Sequence, residues 1–235
     1  MIQRGSAPAA HAVPRWWEYE RAWRLLGAVL IGFGLVWAVI ELSEAALGLE
    51  PRAFDRQLLL ALRTAGNAED PLGPAWFEQA MRDLTSLGSL AVIGLMSAAA
   101  AGFLVLRGRW AEAALGCVVV ATGEALSAVL KLGFDRPRPE LVPHEVAATT
   151  ASFPSGHATL TAAAYLTWAL ILTERTGGGA RLLALTLALA ATLFVGVSRV
   201  YLGVHWPTDV LAGWVVGGTW AAVGYALLRR LQPRP

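Results

Sequence analysis

Residues 182–209 read LLALTLALAATLFVGVSRVYLGVHWPTD, an apolar run from Leu182 to Ser198 that stops on a polar group holding Arg199, His205 and Asp209. At about 1.5 Å of rise per residue, such a run reaches nearly across a hydrocarbon core about 30 Å thick. Pro207 then opens a second apolar run, Thr208 to Leu228, so the polar residues lie between two spans at one edge of the bilayer. Charged groups are costly within lipid, which makes a collection of them at one depth a functional sign.

Working outward, six apolar segments emerge, near Leu25 to Glu41, Leu84 to Leu106, Ala113 to Leu130, Gly156 to Thr173, Leu182 to Ser198 and Thr208 to Leu228. A hydrophobic fraction of 56% and a mean hydropathy of +0.52 are too apolar for a water-facing exterior. The expected fold is an all-α polytopic membrane bundle with six transmembrane spans and an interfacial helix between spans one and two. Residues 1–14 are expected to form a disordered cytoplasmic tail and 15–235 the membrane domain. The first span is read as an uncleaved anchor, since Glu44-Ala45-Ala46 makes a poor cleavage site.

Orientation follows from the cations. One set of span ends holds Arg4, Arg15, Arg21, Arg24, Arg107, Arg109, Arg175, Arg181, Arg229, Arg230 and Arg234. The other holds Arg52, Arg56, Arg63 and Arg82, together with Lys131, Arg136, Arg138 and Arg199, most of which belong to motifs. Both termini are therefore expected in the cytoplasm and the motifs outside, at the cell inner (plasma) membrane. Net charge is only +2 and the arginines are dispersed, which argues against nucleic acid. The single cysteine, Cys117, allows no internal disulfide and reads as a buried thiol.

Three motifs face that outer layer: Lys131-x6-Arg138-Pro139, Pro154-Ser155-Gly156-His157 and Ser198-Arg199-x5-His205-x3-Asp209. The fourth and sixth spans begin there, and their free N–H groups suit an anion. Gly156 permits close approach of the backbone, and Ser155 and Gly156 can donate. Lys131, Arg138 and Arg199 need a partner so near lipid, and a phosphate fits them. Asp209, four residues after His205, would bond one ring nitrogen and leave the other free to attack phosphorus. His157 would protonate the departing oxygen. No acidic cluster accompanies the histidines, so neither metal nor other cofactor is expected.

Other residues carry weaker signals. Glu124, two helical turns before Lys131, either faces the site as an auxiliary group or bonds a neighbouring span. Between Glu50 and Asp83, Phe54, Leu58 and Leu62 recur at helical spacing with Arg52, Asp55, Arg56 and Arg63 elsewhere on the wheel. That pattern suits a helix in the interface, acting as a lid or as a cover for the bundle. Trp16, Trp17, Trp110 and Trp206 read as interface anchors, and Glu41 and Glu44 as interfacial. His144 reads as a solvent-exposed loop residue, Gly177 to Gly179 as an inner turn, and Asp135 and Arg136 as a local pair.

The three motifs, matched at all eleven specified positions, resemble the signature of the type 2 phosphatidic acid phosphatase superfamily. The six-span layout and Asp83-Leu84-Thr85-Ser86-Leu87-Gly88 resemble its bacterial membrane branch. The resemblance implies His205 as nucleophile through a phosphohistidine, Asp209 as its orienting partner and His157 as general acid. It implies a phosphate cradle of Lys131, Arg138, Ser155, Gly156 and Arg199, and hydrolysis without a divalent metal. The implied substrate is a membrane lipid phosphate or diphosphate such as undecaprenyl diphosphate, phosphatidate or phosphatidylglycerol phosphate. The alternatives are a lipid-to-lipid phosphotransferase with the same site and a non-catalytic phospholipid-binding or transport protein.

Overall fold

The computed structural model describes residues 53–134, 136–147 and 150–231, together with Gly27. The tail, the first span at 25–41, Glu41, Glu44, Trp16, Trp17, Arg52 and Asp135 lie outside the described residues. The described chain runs α1 (Ala53–Ala61), β1 (Arg63–Thr64), β2 (Asn67–Pro71), α2 (Ala75–Ser86), α3 (Leu90–Leu106), α4 (Trp110–Phe134), α5 (Gly156–Leu172), α6 (Gly178–Tyr201) and α7 (Pro207–Leu231).

Three of these helices are long and apolar enough to cross a membrane, namely α4, α6 and α7. The second span expected at Leu84 to Leu106 is α3 preceded by the last residues of α2, and the two helices are bent by 51° at a break where Ser89 caps α3 by accepting from the Val92 N–H at 3.2 Å. Taken as one broken span, this pair makes a fourth, and α5 is a shorter apolar helix of 17 residues. Leu187, Leu193 and Phe194 on α6 and Leu95 and Phe103 on α3 are exposed, an exterior that lipid covers and water does not.

The Glu50 to Asp83 connection is more elaborate than a single interfacial helix. α1 stops at Ala61, so Leu62 and Arg63 leave the helical wheel, and β1 and β2 pair antiparallel with Arg63 opposite Pro71 and Thr64 opposite Asn67. Gly66, at φ +82°, supplies the left-handed turn residue. Asp55, expected on the polar face, is instead buried together with Leu59 against the bundle.

At the centre sits α5, whose Ala158, Ala162, Ala163 and Ala164 let neighbouring backbones come close. Gly213 and Gly217 of α7 face it: a Cβ on Gly217 would lie 2.2 Å from the Thr159 carbonyl oxygen, and one on Gly213 2.8 Å from that of Ser155. On α4 the pattern repeats, with Gly116 under Trp168 and Gly123 beside Ala163. Trp168 also donates to Ser97 Oγ at 2.9 Å, tying α5 to α3.

Ion pairs close the end opposite the motifs, where Glu112 accepts from Arg109 and from Arg175 at 3.0 Å, and Glu174 from Arg229 at 2.6 Å. Gly178 and Gly179 there belong to α6 and are not part of a turn. Cys117 is exposed on α4, contrary to the buried thiol expected from its apolar surroundings, because in this bundle apolar neighbours also mark the outer face.

Gly217→Ala should lower the thermal unfolding midpoint in detergent, by an amount equivalent to about 1–3 kcal/mol of overpacking, because the opposing atom is backbone and cannot move aside. Gly218→Ala, whose added carbon meets only Leu166 at 3.9 Å, should leave the midpoint unchanged or slightly raised.

Candidate active site

The motif residues meet in a cavity of about 320 Å³ lined by Lys131, Arg138, Gly156, His157, Arg199 and His205, with Gly88, Glu124, Ser127 and Thr150 among the other lining residues. Each arrives from a helix end or from the segment beside one. Lys131 comes from the last turn of α4, Gly156 and His157 from the first turn of α5, and Arg199 from the last turn of α6. His205 stands on the turn before α7, and Arg138 on the segment after α4.

Asp209 is fully buried and holds this turn together. Its Oδ2 accepts the Trp206 N–H at 2.9 Å and the Ser152 hydroxyl, and lies 3.5 Å from His205 Nδ1. Its backbone carbonyl accepts the Ser155 N–H at 3.0 Å, which joins the starts of α5 and α7. The pairing of His205 with Asp209 therefore holds although His205 precedes the helix, because the carboxylate reaches back past Pro207. Arg138 Nη1 donates to the Val204 carbonyl at 2.6 Å and stands 3.2 Å from His205 Nε2. A guanidinium can only donate, so this contact keeps Nε2 unprotonated and leaves the ring proton on Nδ1, toward Asp209. Burial lowers the His205 pKa to about 4 even though Asp209 raises it, so the imidazole is neutral at neutral pH.

The cations are held but not used up. Lys131 Nζ donates to Thr150 Oγ1 at 3.0 Å and to the Ala151 carbonyl at 2.9 Å, two of its three donors. Arg199 Nη1 donates to Thr85 Oγ1 at 3.1 Å. Arg199 Nε, Ser155 Oγ and Ser127 Oγ are buried without a hydrogen-bond partner among the described residues. Unsatisfied buried donors cost about 1–3 kcal/mol each, and an anion with several oxygens would satisfy them. Glu124 lines the same cavity, so of its two readings the structure favours the one that faces the site.

Several expectations need correction. Ser155 offers its hydroxyl but not its N–H, which Asp209 holds. The start of α7 does not face the anion site, because the Thr208 N–H donates to Asp55 Oδ1 at 2.9 Å. Arg136 pairs with Asp55 at 2.7 Å and with Asp209. Trp206 is no interface anchor: it is buried, donates to the Pro137 carbonyl at 3.1 Å and carries the Arg136 guanidinium over its ring. Trp110 is exposed at the start of α4, and His144 is an exposed loop residue whose Nε2 meets the Pro139 carbonyl at 2.7 Å.

Asp55, Arg136, Ser127, Thr208, Ser152 and Gly88 were not legible as site residues. A Cβ on Gly88 would sit 2.6 Å from Val195 Cγ1 and 3.0 Å from His157 Cδ2, so this glycine makes room for the histidine. The doubled arginine of Arg136-Pro137-Arg138-Pro139 is the one available signal for Arg136.

The chain is similar to known proteins in both sequence and fold. A phosphatidylglycerophosphatase B of Bacillus subtilis is 34% identical over 60% of this chain and 70% of its own. A putative undecaprenyl-diphosphatase of Escherichia coli is 39% identical over 34% of this chain and 41% of its own, and a lipid A 1-phosphatase of Rhizobium etli 32% over 53% and 56%. The crystal structure of a transmembrane PAP2 type phosphatidylglycerolphosphate phosphatase from Bacillus subtilis superposes with a TM-score of 0.73 at 24% identity, covering 88% of this chain and 97% of the other. An LpxE structure from Aquifex aeolicus has a TM-score of 0.56 at 20% identity, covering 73% and 94%. The family profile described as the PAP2 superfamily matches residues 112–233, from α4 to the end of α7 and across all three motifs, and the chain belongs to that superfamily.

Proposed function

We propose that this protein removes a terminal phosphate from a membrane lipid phosphate or diphosphate, through a phosphohistidine at His205 and without a metal ion. The observation that carries the reading is the cavity itself, where three cations and two histidines meet beside buried donors that lack partners among the described residues. The phosphatase names of its relatives support the class of reaction.

In the first half of the reaction, the His205 Nε2 lone pair forms a bond to phosphorus as the bond to the departing oxygen breaks, and His157 gives that oxygen its proton. Asp209 stabilises the charge that builds on the imidazole. In the second half, water attacks the phosphohistidine, His157 takes the proton, and phosphate leaves with Nε2 restored. Lys131, Arg138, Arg199, Ser155 and Gly156 bind the phosphoryl oxygens, and Glu124 acts as an auxiliary group on the cavity wall. The arginine distribution supports cytoplasmic termini and a site on the outer side of the plasma membrane. Undecaprenyl diphosphate and phosphatidyl lipids are the substrates to try first. Residues 15–235 form the functional unit in this proposal, with 1–14 as a tail.

Detergent-purified protein should release inorganic phosphate from at least one of phosphatidate, phosphatidylglycerol phosphate and undecaprenyl diphosphate with EDTA present. His205→Ala should lower that rate by about a thousandfold or more. Release abolished by EDTA, or retained in the variant, would overturn the mechanism, and labelled phosphate appearing on a second lipid would identify a transferase.

The pH–rate profile should be bell-shaped. The nucleophile must be neutral, and its lowered pKa keeps it so as the pH falls, so activity should persist below 6.5 and fail only as the pH approaches the value near 4. The basic limb reports loss of the His157 proton in the substrate complex, where the bound phosphate favours the charged imidazole that burial, Arg199, Lys131 and Arg138 oppose in the free enzyme. Inorganic phosphate should also raise the thermal midpoint saturably, and Arg199→Ala should weaken that binding about tenfold or more, measured as the phosphate concentration at half-effect.

A further inference from the structure

Arg136 lies between two buried carboxylates. One guanidinium nitrogen, Nη1, donates to Asp209 and to Thr208 Oγ1 at 2.8 Å, and the other, Nη2, donates to Asp55 Oδ2 at 2.7 Å. Asp55 also accepts the Thr208 N–H at 2.9 Å and the Thr208 hydroxyl at 2.7 Å. All four residues are buried, and α1 reaches them from a part of the chain outside the three motifs.

The chemistry of this chain of contacts is uneven. Asp209 must bond the His205 N–H strongly to make Nε2 a good nucleophile, yet it also faces a full positive charge on Arg136 and the positive start of α7. Each draws electron density away from the histidine. Asp55 faces both, taking the other side of the guanidinium and the first N–H of the helix. We infer that Asp55 is a positioning residue for the proposed Asp209–His205 pair, acting through Arg136 and Thr208 to offset the positive charge that would otherwise fall on Asp209. This rests on the phosphohistidine reading above.

Two features separate this role from simple anchoring of α1. The helix is also seated by Leu59, which is fully buried in a cluster with Val142, Val200, Trp206 and Val210, so the carboxylate is not its only attachment. A lost charge and a loosened fold also move His205 in opposite directions. The charged or titratable groups around its ring are Asp209 from α7, Arg138 from the segment after α4, Arg199 from α6, His157 from α5 and Lys131 from α4. Replacing Asp55 by a neutral amide makes this surrounding more positive and disfavours the imidazolium further. Loosening would admit water and return the ring toward its ordinary behaviour.

The test is the acidic limb of phosphate release by the full-length protein for wild type, Asp55→Asn and Asp55→Glu, with phosphohistidine captured by rapid denaturation at alkaline pH. Asp55→Asn should lower kcat about tenfold, leave half-saturation by inorganic phosphate within about twofold, and move the acidic midpoint down by about half a pH unit or more. Asp55→Glu, which keeps the charge, should hold the wild-type midpoint. An upward shift in either variant, an unchanged kcat in Asp55→Asn, or the same downward shift in both would overturn the inference. If Asp55→Asn does not fold, Asp55→Glu decides alone: a wild-type midpoint with phosphohistidine still formed supports the inference, and a shift in either direction overturns it. Failure of wild type to form phosphohistidine would sink the underlying mechanism, which is a different result.

Discussion

Burying the Asp209 carboxylate determines how the motif-bearing end of the bundle is built. An ionised carboxylate without water is very costly unless every oxygen is met by a donor, and here the donors come from separate stretches: Arg136 after α4, Ser152 before α5, and the Trp206 N–H and His205 before α7. Satisfying one acid therefore fixes several loops that are distant in sequence. His205 and Arg138 inherit their positions from this arrangement, and a guanidinium then sits 3.2 Å from the free ring nitrogen. A buried ion cluster of this kind is weak evidence for stability, and its value lies in setting one geometry.

Beneath it the scaffold relies on smallness. The α5 helix can be surrounded on several sides because its alanines and the glycines of α4 and α7 let backbones approach until a single added carbon would clash. Close packing of this kind replaces the hydrophobic drive that lipid removes between helices. It also sets the height of Gly156 and His157 relative to Lys131, since all three hang from helices locked against one another.

How much of this was legible in the sequence depended on whether a residue's role was local. Helices α4 to α7 match the apolar runs, and Lys131, Arg138, Gly156, His157, Arg199 and His205 line one cavity because each lies at or close beside a helix end. Asp55 was misplaced because periodicity assigns an aspartate to the wet face of an amphipathic helix, and nothing nearby in the chain announces partners 81 and 153 residues away. Trp206 was misread for a related reason: a tryptophan beside a span looks like an anchor until the arginine that covers it is seen. The bend between α2 and α3 lies in an apolar stretch with one serine cap, a signal too small to split a span in advance.

The balance of fixed charge in the cavity has a consequence of its own. Lys131, Arg138 and Arg199 line it, and among the described residues Glu124 is the one acid in the lining, since Asp209 is turned toward Arg136 and the ring of His205. Such a wall attracts small anions from solution whether or not a lipid is present. Binding of a lipid phosphate then becomes an exchange of one anion for another, and each cycle ends with the cavity holding the very ion, phosphate, that suits it best. For the proposed phosphatase, displacement of the product phosphate from this cavity becomes a step in every cycle, and dissolved anions compete with the lipid for the same cations.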